Sequence, residues 1–317
     1  MKSRSRLLAG AAAGALVLMG CGSPATEGEA EIPTRLAAYD LATGDSSFVY
    51  EMKMDGTMGF GAAMRASMGQ TDSSRFEGNQ PVSLQVRMEL TQTITEDASG
   101  RKVTVRVDDV EGHMKAFGAE QDLTRSMVVG SGGGELTYTL KPDGSTDLPG
   151  GNALGGMGAG LLGGSNIGLS CPRLLTGGAE SGQEWQADQQ MPLAGVDASV
   201  PAVNSLEIDG TEATITSRTD GPYDLSIDMS ELAKSNPAIT SAGAVTGMTM
   251  RVSGTSKTTT QCVLALPEQE LVSSTTDGHM NLTTSLVGTP ASPRQSALTE
   301  GELVHMDVDM ASSIRAA

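Results

Sequence analysis

From residue 47 onward the chain is written mostly with a period of two. Phe48, Tyr50, Met52 and Met54 alternate with Val49, Glu51 and Lys53, and Val82, Leu84, Val86, Met88 and Leu90 alternate with Ser83, Gln85, Arg87 and Glu89. Successive side chains of a strand point to opposite faces, so this pattern predicts half-buried strands with one oily and one wet face. The same rule runs through Val103, Val105 and Val107, through Leu136, Tyr138 and Leu140, and through Tyr223, Leu225, Ile227 and Met229. It returns in Met248, Met250 and Val252, in Met280 and Leu282, and in Val304, Met306, Val308 and Met310. Asp-Gly occurs at Asp55, Asp143, Asp209, Asp220 and Asp277. That dipeptide suits the positive backbone dihedrals of tight hairpins, so five antiparallel turns are expected there. Helical signals are confined to Ala62–Met68 and to a single turn over Ser230–Lys234 behind a Ser cap.

Dense glycine between Gly130 and Gly168 interrupts the alternation. It divides the chain into two β-rich halves, 47–145 and 171–312, with 146–170 as a Gly-rich loop. An antiparallel sheet with a continuous apolar face must cover that face with a second sheet, with helices or with a ligand. The predicted fold class is therefore mainly β: hairpin-connected antiparallel sheets in two halves, a sandwich or a strongly curved sheet, with few short helices. Met52, Met54, Leu84, Val86 and Met88 are the candidate lining of an apolar pocket on this face. The same residues would equally fill a closed core.

Composition narrows the packing. The 317 residues are 38% hydrophobic but only 3% aromatic, with 18 Met, so the core is aliphatic and thioether-rich. Methionine adapts to irregular space and suits either a core or a pliable pocket. The lone Trp185 reads as a core filler.

The N-terminus carries the most specific signal. Lys2, Arg4 and Arg6 precede an apolar run from Leu7 to Gly20, the layout of a secretory signal. The run is too short to span a bilayer. Leu18-Met19-Gly20-Cys21 resembles the lipobox of the bacterial lipoprotein family. The resemblance implies that residues 1–20 are removed, that Cys21 takes a covalent diacylglyceryl group and that the body is anchored to the cell membrane on its extracytoplasmic face. Gly22 to Glu31 contains no large apolar residue, and 21–46 is expected to be a disordered tether. Over about Ser47 to Leu286 the strand-heavy body resembles envelope lipoproteins of actinobacterial type and, more distantly, lipid-carrier lipoproteins whose curved sheet encloses acyl chains. It departs from those carriers in lacking the long helices that plug the concave side.

Removal of the signal takes three of the 21 basic residues and leaves 18 against 38 acidic ones, a formal charge of −20. Nucleic acid is excluded as a partner on that balance. With Cys21 assigned to lipid, Cys171 and Cys262 remain; outside the cytoplasm they form a disulfide or, failing that, stay as two buried thiols.

Other constellations are weak. Gly158 to Gly163 matches G-x-G-x-x-G but lacks the βαβ setting that a dinucleotide needs. Each histidine precedes a methionine, at His113, His279 and His305, which invites a copper-handling alternative with His279 and His305 as candidate ligands. Neighbouring strand residues face opposite ways, which counts against a shared ion, and His305, Asp307 and Asp309 are too widely spaced on one strand to share one. Gly44-Asp45-Ser46-Ser47 resembles the nucleophile block of a class of esterases, with Glu302-x-x-His305 in place of the usual Asp-x-x-His. No G-x-S-x-G occurs. The expectation is a non-enzymatic binding or interaction module without a cofactor, whose partner is the membrane, a hydrophobic small molecule or another envelope protein.

Overall fold

A computed structural model describes residues 33–68, 77–98, 100–129, 134–147, 171–193, 196–228, 248–288 and 300–317. The signal segment, Cys21, the G-x-G-x-x-G run and Ser230–Lys234 lie outside the described residues, as does most of the Gly-rich loop. The elements in chain order are β1 (Arg35–Leu36), β2 (Gly44–Phe60), α1 (Ala62–Met68), β3 (Gln80–Asp97), β4 (Gly100–Ala116), β5 (Ala119–Leu123), α2 (Arg125–Val129) and β6 (Glu135–Leu140). They continue with β7 (Thr146–Asp147), β8 (Ala179–Glu180), β9 (Glu184–Leu193), β10 (Val196–Asp209), β11 (Glu212–Asp228), β12 (Thr249–Ala265), β13 (Glu270–Val287) and β14 (Gly301–Ala316). The protein is mainly β, and the alternating runs named above, as far as their residues are described, fall within or directly beside a strand; Met229 lies outside the described residues.

The two halves are not separate sheets. Among the described residues, β7-β6-β4-β3-β2-β14-β13-β12-β11-β10-β9 form one antiparallel sheet, 12-stranded with β5 added on β4, and β1 pairs with β8 apart from it. The join is β14 against β2, where Met310 faces Met54, Met306 faces Met58 and Ile314 faces Tyr50. Between β7 and β9 the chain passes from one edge of this sheet to the other, both halves step through the sheet in the same sense, and the last strand joins the halves by pairing with the first long one.

Seven strands run for 16 to 18 residues, roughly 55 Å at strand rise. Strands of that length coil, and the glycines within them mark where. Asp143-Gly144 and Asp209-Gly210 do make turns, with Gly144 at φ 85° and Gly210 at φ 58°. Asp55-Gly56, Asp220-Gly221 and Asp277-Gly278 instead lie inside β2, β11 and β13. For two of these the reason is close approach. A Cβ on Gly56 would fall on the Asp307 carbonyl oxygen, and one on Gly278 would come within 2.5 Å of the Lys257 carbonyl oxygen. Gly112 and Gly254 are pressed in the same way against Gln85 and Asn281 of adjacent strands. Glycine within a strand permits this bending and close backbone contact. Tyr223 covers one such gap: its hydroxyl lies 2.9 Å from the Cβ position of Gly254 and donates to the Asn281 carbonyl at 3.0 Å.

The main core lies at one end of the sheet. It unites Val103, Val105 and Tyr138 near one edge with Trp185 and Leu206 near the other, so strands far apart in sheet order contribute to one core. Leu36, Tyr39, Leu41 and Leu174 complete it from two loop segments. Tyr39 donates its N–H to the Pro142 carbonyl at 2.8 Å and its hydroxyl to the Pro172 carbonyl at 2.5 Å. Asp40 pairs with Arg101 of β4 and donates its N–H to Gln269, between β12 and β13, at 2.8 Å. Trp185 donates to the Arg173 carbonyl at 3.0 Å. Cys171 and Cys262 are disulfide-bonded, with Cα atoms 5.0 Å apart and a sequence separation of 91. Closing a loop of that length constrains the unfolded chain by about 4–5 kcal/mol in the entropy model.

These contacts correct the extent of the tether. Its composition argument covers Gly22 to Glu31, whereas Leu36, Tyr39 and Leu41 bring large apolar side chains and are 2–4% exposed. They cap the core, and β2 begins at Gly44.

Gly56→Val is predicted to destabilise the fold by about 1–3 kcal/mol, because overpacking against the β14 backbone cannot relax into solvent as it would at a turn. Chemical denaturation of the two proteins measures it; an unchanged midpoint would return Gly56 to the role of an exposed turn residue.

Candidate binding face

Pairing register sorts the inward side chains into rows that cross the sheet. At the capped end one row reads Ile215, Cys262, Ser274, Ile314, Tyr50 and Met88. It is closed: Met88 is 0% exposed, and Leu84 and Val86 are 2% exposed within the same cluster. Those three candidate lining residues therefore belong to the core. Met52 and Met54 are half-buried and pack against its rim. Farther along the face, Met58, Met114, Met280, Met306 and Met310 are also half-buried. A second, smaller cluster of Val200, Tyr223, Ile227, Met248, Val252 and Leu286 lies beyond, on the β10 to β13 side.

Between the two clusters the face changes chemistry. Ser217, Thr219, Ser256, Thr260 and Ser274 point inward from β11, β12 and β13 and are 1–4% exposed, with Thr258, Thr276 and Ser312 beside them. The hydroxyls of Thr219 and Thr258 lie 2.7 Å apart, those of Thr219 and Ser256 3.3 Å apart, and those of Thr260 and Thr276 3.0 Å apart. Asn204, 2% exposed, pairs in register with Ser217 and donates its amide to the Arg173 carbonyl at 3.3 Å. The signal was present in the serines and threonines of 253–260 and 273–276. Composition alone makes such stretches look like solvent-facing strand, so this belt escaped sequence reasoning.

No Lys, Arg, His, Asp or Glu occupies the inward positions of these rows; the charges sit on the wet face. There Arg251 pairs with Asp224, Arg315 with Glu51 at 3.1 Å and Lys53 with Asp55 at 3.1 Å. A groove of about 630 Å³ on this side is lined by Glu51, Lys53, Arg87, Glu111, His113 and Asp277. Met52 and Val86 border it, and strand alternation directs their side chains to the other face. A second cleft, about 670 Å³, lies beside α1 against Gly59, Gly61 and Glu302.

The copper ligands are not assembled. His279 contacts Asp309 at 3.0 Å and Asp307 at 3.5 Å, while His305 lies 3.0 Å from the Thr283 hydroxyl. The two histidines occupy ladder positions four residues apart, about 13 Å, with Met280 and Met306 on the opposite face. Among the described residues no group of three or more His, Cys, Asp or Glu is placed to hold a metal. Gly44 to Ser47 begins β2 rather than a strand-to-helix elbow. Ser47 and His305 are separated by most of the β2–β14 ladder, roughly 40 Å.

Burial shows in the tyrosines. It pushes Tyr223 up to about 12 and Tyr50 up to about 12 against the opposing hydrogen bond with Ser312, and it raises Tyr39 and Tyr138 further still. Near the cap, burial would raise Asp143, but hydrogen bonds from the Ser145 hydroxyl and N–H, with the nearby Arg173 charge, leave it below the ordinary carboxylate range.

No protein-family model matches the chain, and no curated protein matches it. Among solved structures, the lipovitellin chain from work on lipid–protein interactions aligns at 7% identity and a TM-score of 0.45, over 88% of this chain and 25% of its own. The chain thus spans about a quarter of the length of that protein. DynF, from the dynemicin biosynthesis pathway of Micromonospora chersina, aligns at 8% identity and a TM-score of 0.22 over 95% and 92% of the two chains. Pseudomonas aeruginosa OccK2, solved with glucuronate, aligns at 7% identity and a TM-score of 0.18 over 89% and 98%.

A tyrosine whose folded pKa lies above its unfolded value stabilises the fold below the unfolded pKa, and that contribution is lost as pH rises through the folded one. With all four tyrosines raised from 10.0, alkaline titration is predicted to show little phenolate at pH 10. Phenolate absorbance is expected to rise only with loss of the far-ultraviolet strand signal. Full ionisation near pH 10 in an intact fold would contradict this.

Proposed function

We propose that this protein is a non-enzymatic lipoprotein of the cell envelope, anchored through a diacylglyceryl group on Cys21, and that its curled sheet binds a hydrophobic molecule along the methionine-bearing part of the inward face. The observation that carries the binding half is the graded closure of that face. Leu84, Val86, Met88 and Val308 are sealed, whereas Met54, Met58, Met280, Met306 and Met310 remain half-buried in the same sheet. A closed core gains from burying every apolar side chain. Leaving several methionines partly open, in residues that repack around varied shapes, is what a pliable apolar site needs. The lipobox carries the anchoring half, and the absence of charge from the inward rows favours an uncharged guest over an ion.

Cell fractionation is predicted to place the wild-type protein in the membrane and Cys21→Ser in the soluble fraction; equal membrane retention would remove the anchor. Native mass spectrometry of Cys21→Ser protein is predicted to detect a co-purifying lipid. A fluorescent acyl-chain probe is expected to bind it at least tenfold more tightly than it binds a Met54→Asp, Met310→Asp derivative that retains the far-ultraviolet signal. Absence of both lipid and probe binding would overturn the ligand reading.

A further inference from the structure

We infer that the cleft beside α1 is a second binding site, and that it takes a zwitterion: an amino acid or short peptide with a free ammonium and a free carboxylate. The inference goes beyond the ligand reading of the inward face and does not depend on it, because this cleft is built from charge rather than from apolar side chains. Its volume of about 670 Å³ lies within the range of small-molecule sites. Gly78 and Gly301 line it with main chain alone, which lets a guest approach the backbone closely.

The observation that carries the inference is a set of opposite charges that share the cleft without joining. Arg65, in the last turn of α1, is half-buried, and Glu300 and Glu302 flank Gly301 at the start of β14. All three line the cleft. Among the described residues the Arg65 guanidinium has no hydrogen-bond or ion-pair partner, and neither has either carboxylate. On the wet face the same residue types do pair: Arg251 with Asp224, Arg315 with Glu51 at 3.1 Å and Arg87 with Glu89 at 3.0 Å. A half-buried guanidinium gives up hydration that no carboxylate in this cleft offsets. A guest spanning the gap satisfies both sides, its carboxylate accepting from the N–H fork of Arg65 and its ammonium donating to the glutamates. A simple anion would be repelled by the glutamates and a simple cation by Arg65, while a neutral guest would leave both charges unmatched. Asn79, also on the cleft wall, adds an amide that donates and accepts, which suits a peptide group.

The test is calorimetric titration of Cys21→Ser protein with alanine, trialanine, N-acetyl-trialanine and trialanine amide. The expected result is at least tenfold tighter binding of trialanine than of either blocked peptide. Arg65→Gln is expected to abolish the advantage over the amide and to keep the advantage over the acetylated peptide; Glu300→Gln with Glu302→Gln is expected to do the converse. A loss of packing alone would weaken all the peptides together and would not separate the two ends. Alanine binding as tightly as trialanine would identify the guest as a single amino acid, within the same inference. Equal binding of free and blocked peptides by the parent protein, or no binding of any of the four, would overturn it, and neither outcome needs a variant to fold. Because none of these probes carries a hydrocarbon tail, such a failure leaves the ligand reading of the inward face standing.

Discussion

One continuous apolar face, shared by strands far longer than a typical hairpin, has to be covered in a protein whose described helices are α1 and α2, seven and five residues long. The solution is curvature. At the capped end, side chains from strands near the two edges belong to one buried cluster, which the segments carrying Tyr39 and Leu174 complete. Coiling of this degree forces neighbouring backbones together, which is why Gly56, Gly112, Gly254 and Gly278 lack side chains where a Cβ would strike the next strand.

The capped end is also where loop segments are tied in by polar contacts. Asp40, Trp185 and the disulfide each connect a loop segment to a different part of the sheet, and Tyr39 ties loop segments to one another. Such cross-connections fix the curl, because pairing between adjacent strands sets register but says little about how far the sheet bends. Along the face the interior then passes from sealed aliphatic packing to hydroxyls on β11 to β13 and methionines on β2 and β14. That gradient gives the binding proposal its physical content: a hydrocarbon region beside a hydrogen-bonding region, with charge kept to the other side.

The wet face shows why several sequence motifs had no chemical counterpart. His279 and His305 alternate with Met280 and Met306, so each histidine reaches solvent and neighbouring acids while its methionine faces inward. The serines at 46 and 47 share a long strand with residues far from His305. Motif spacing along a chain is a poor guide when the intervening residues are fully extended, since each added residue contributes about 3.3 Å of separation.

Much of the local structure was legible because strand periodicity is a local consequence of burial: one polar and one apolar neighbour decide which way each residue faces. That rule located the alternating strands and the outward direction of His279 and His305. It did not separate core from candidate pocket, since Leu84 and Met54 obey the same alternation and differ only in what lies across the sheet. Nor did it identify the hydroxyl belt, because serine and threonine look solvent-facing until curvature buries them. The Asp-Gly pairs failed for a related reason: glycine serves both a turn and a close backbone approach, and the partner strand that distinguishes them is remote in sequence. Thus the sequence by itself determined the mainly β class, the two faces and the cysteines available to pair. Tertiary structure decided that the halves form one sheet, that residues 36–41 join the core and that the inward face is graded, because each depends on contacts between strands distant along the chain.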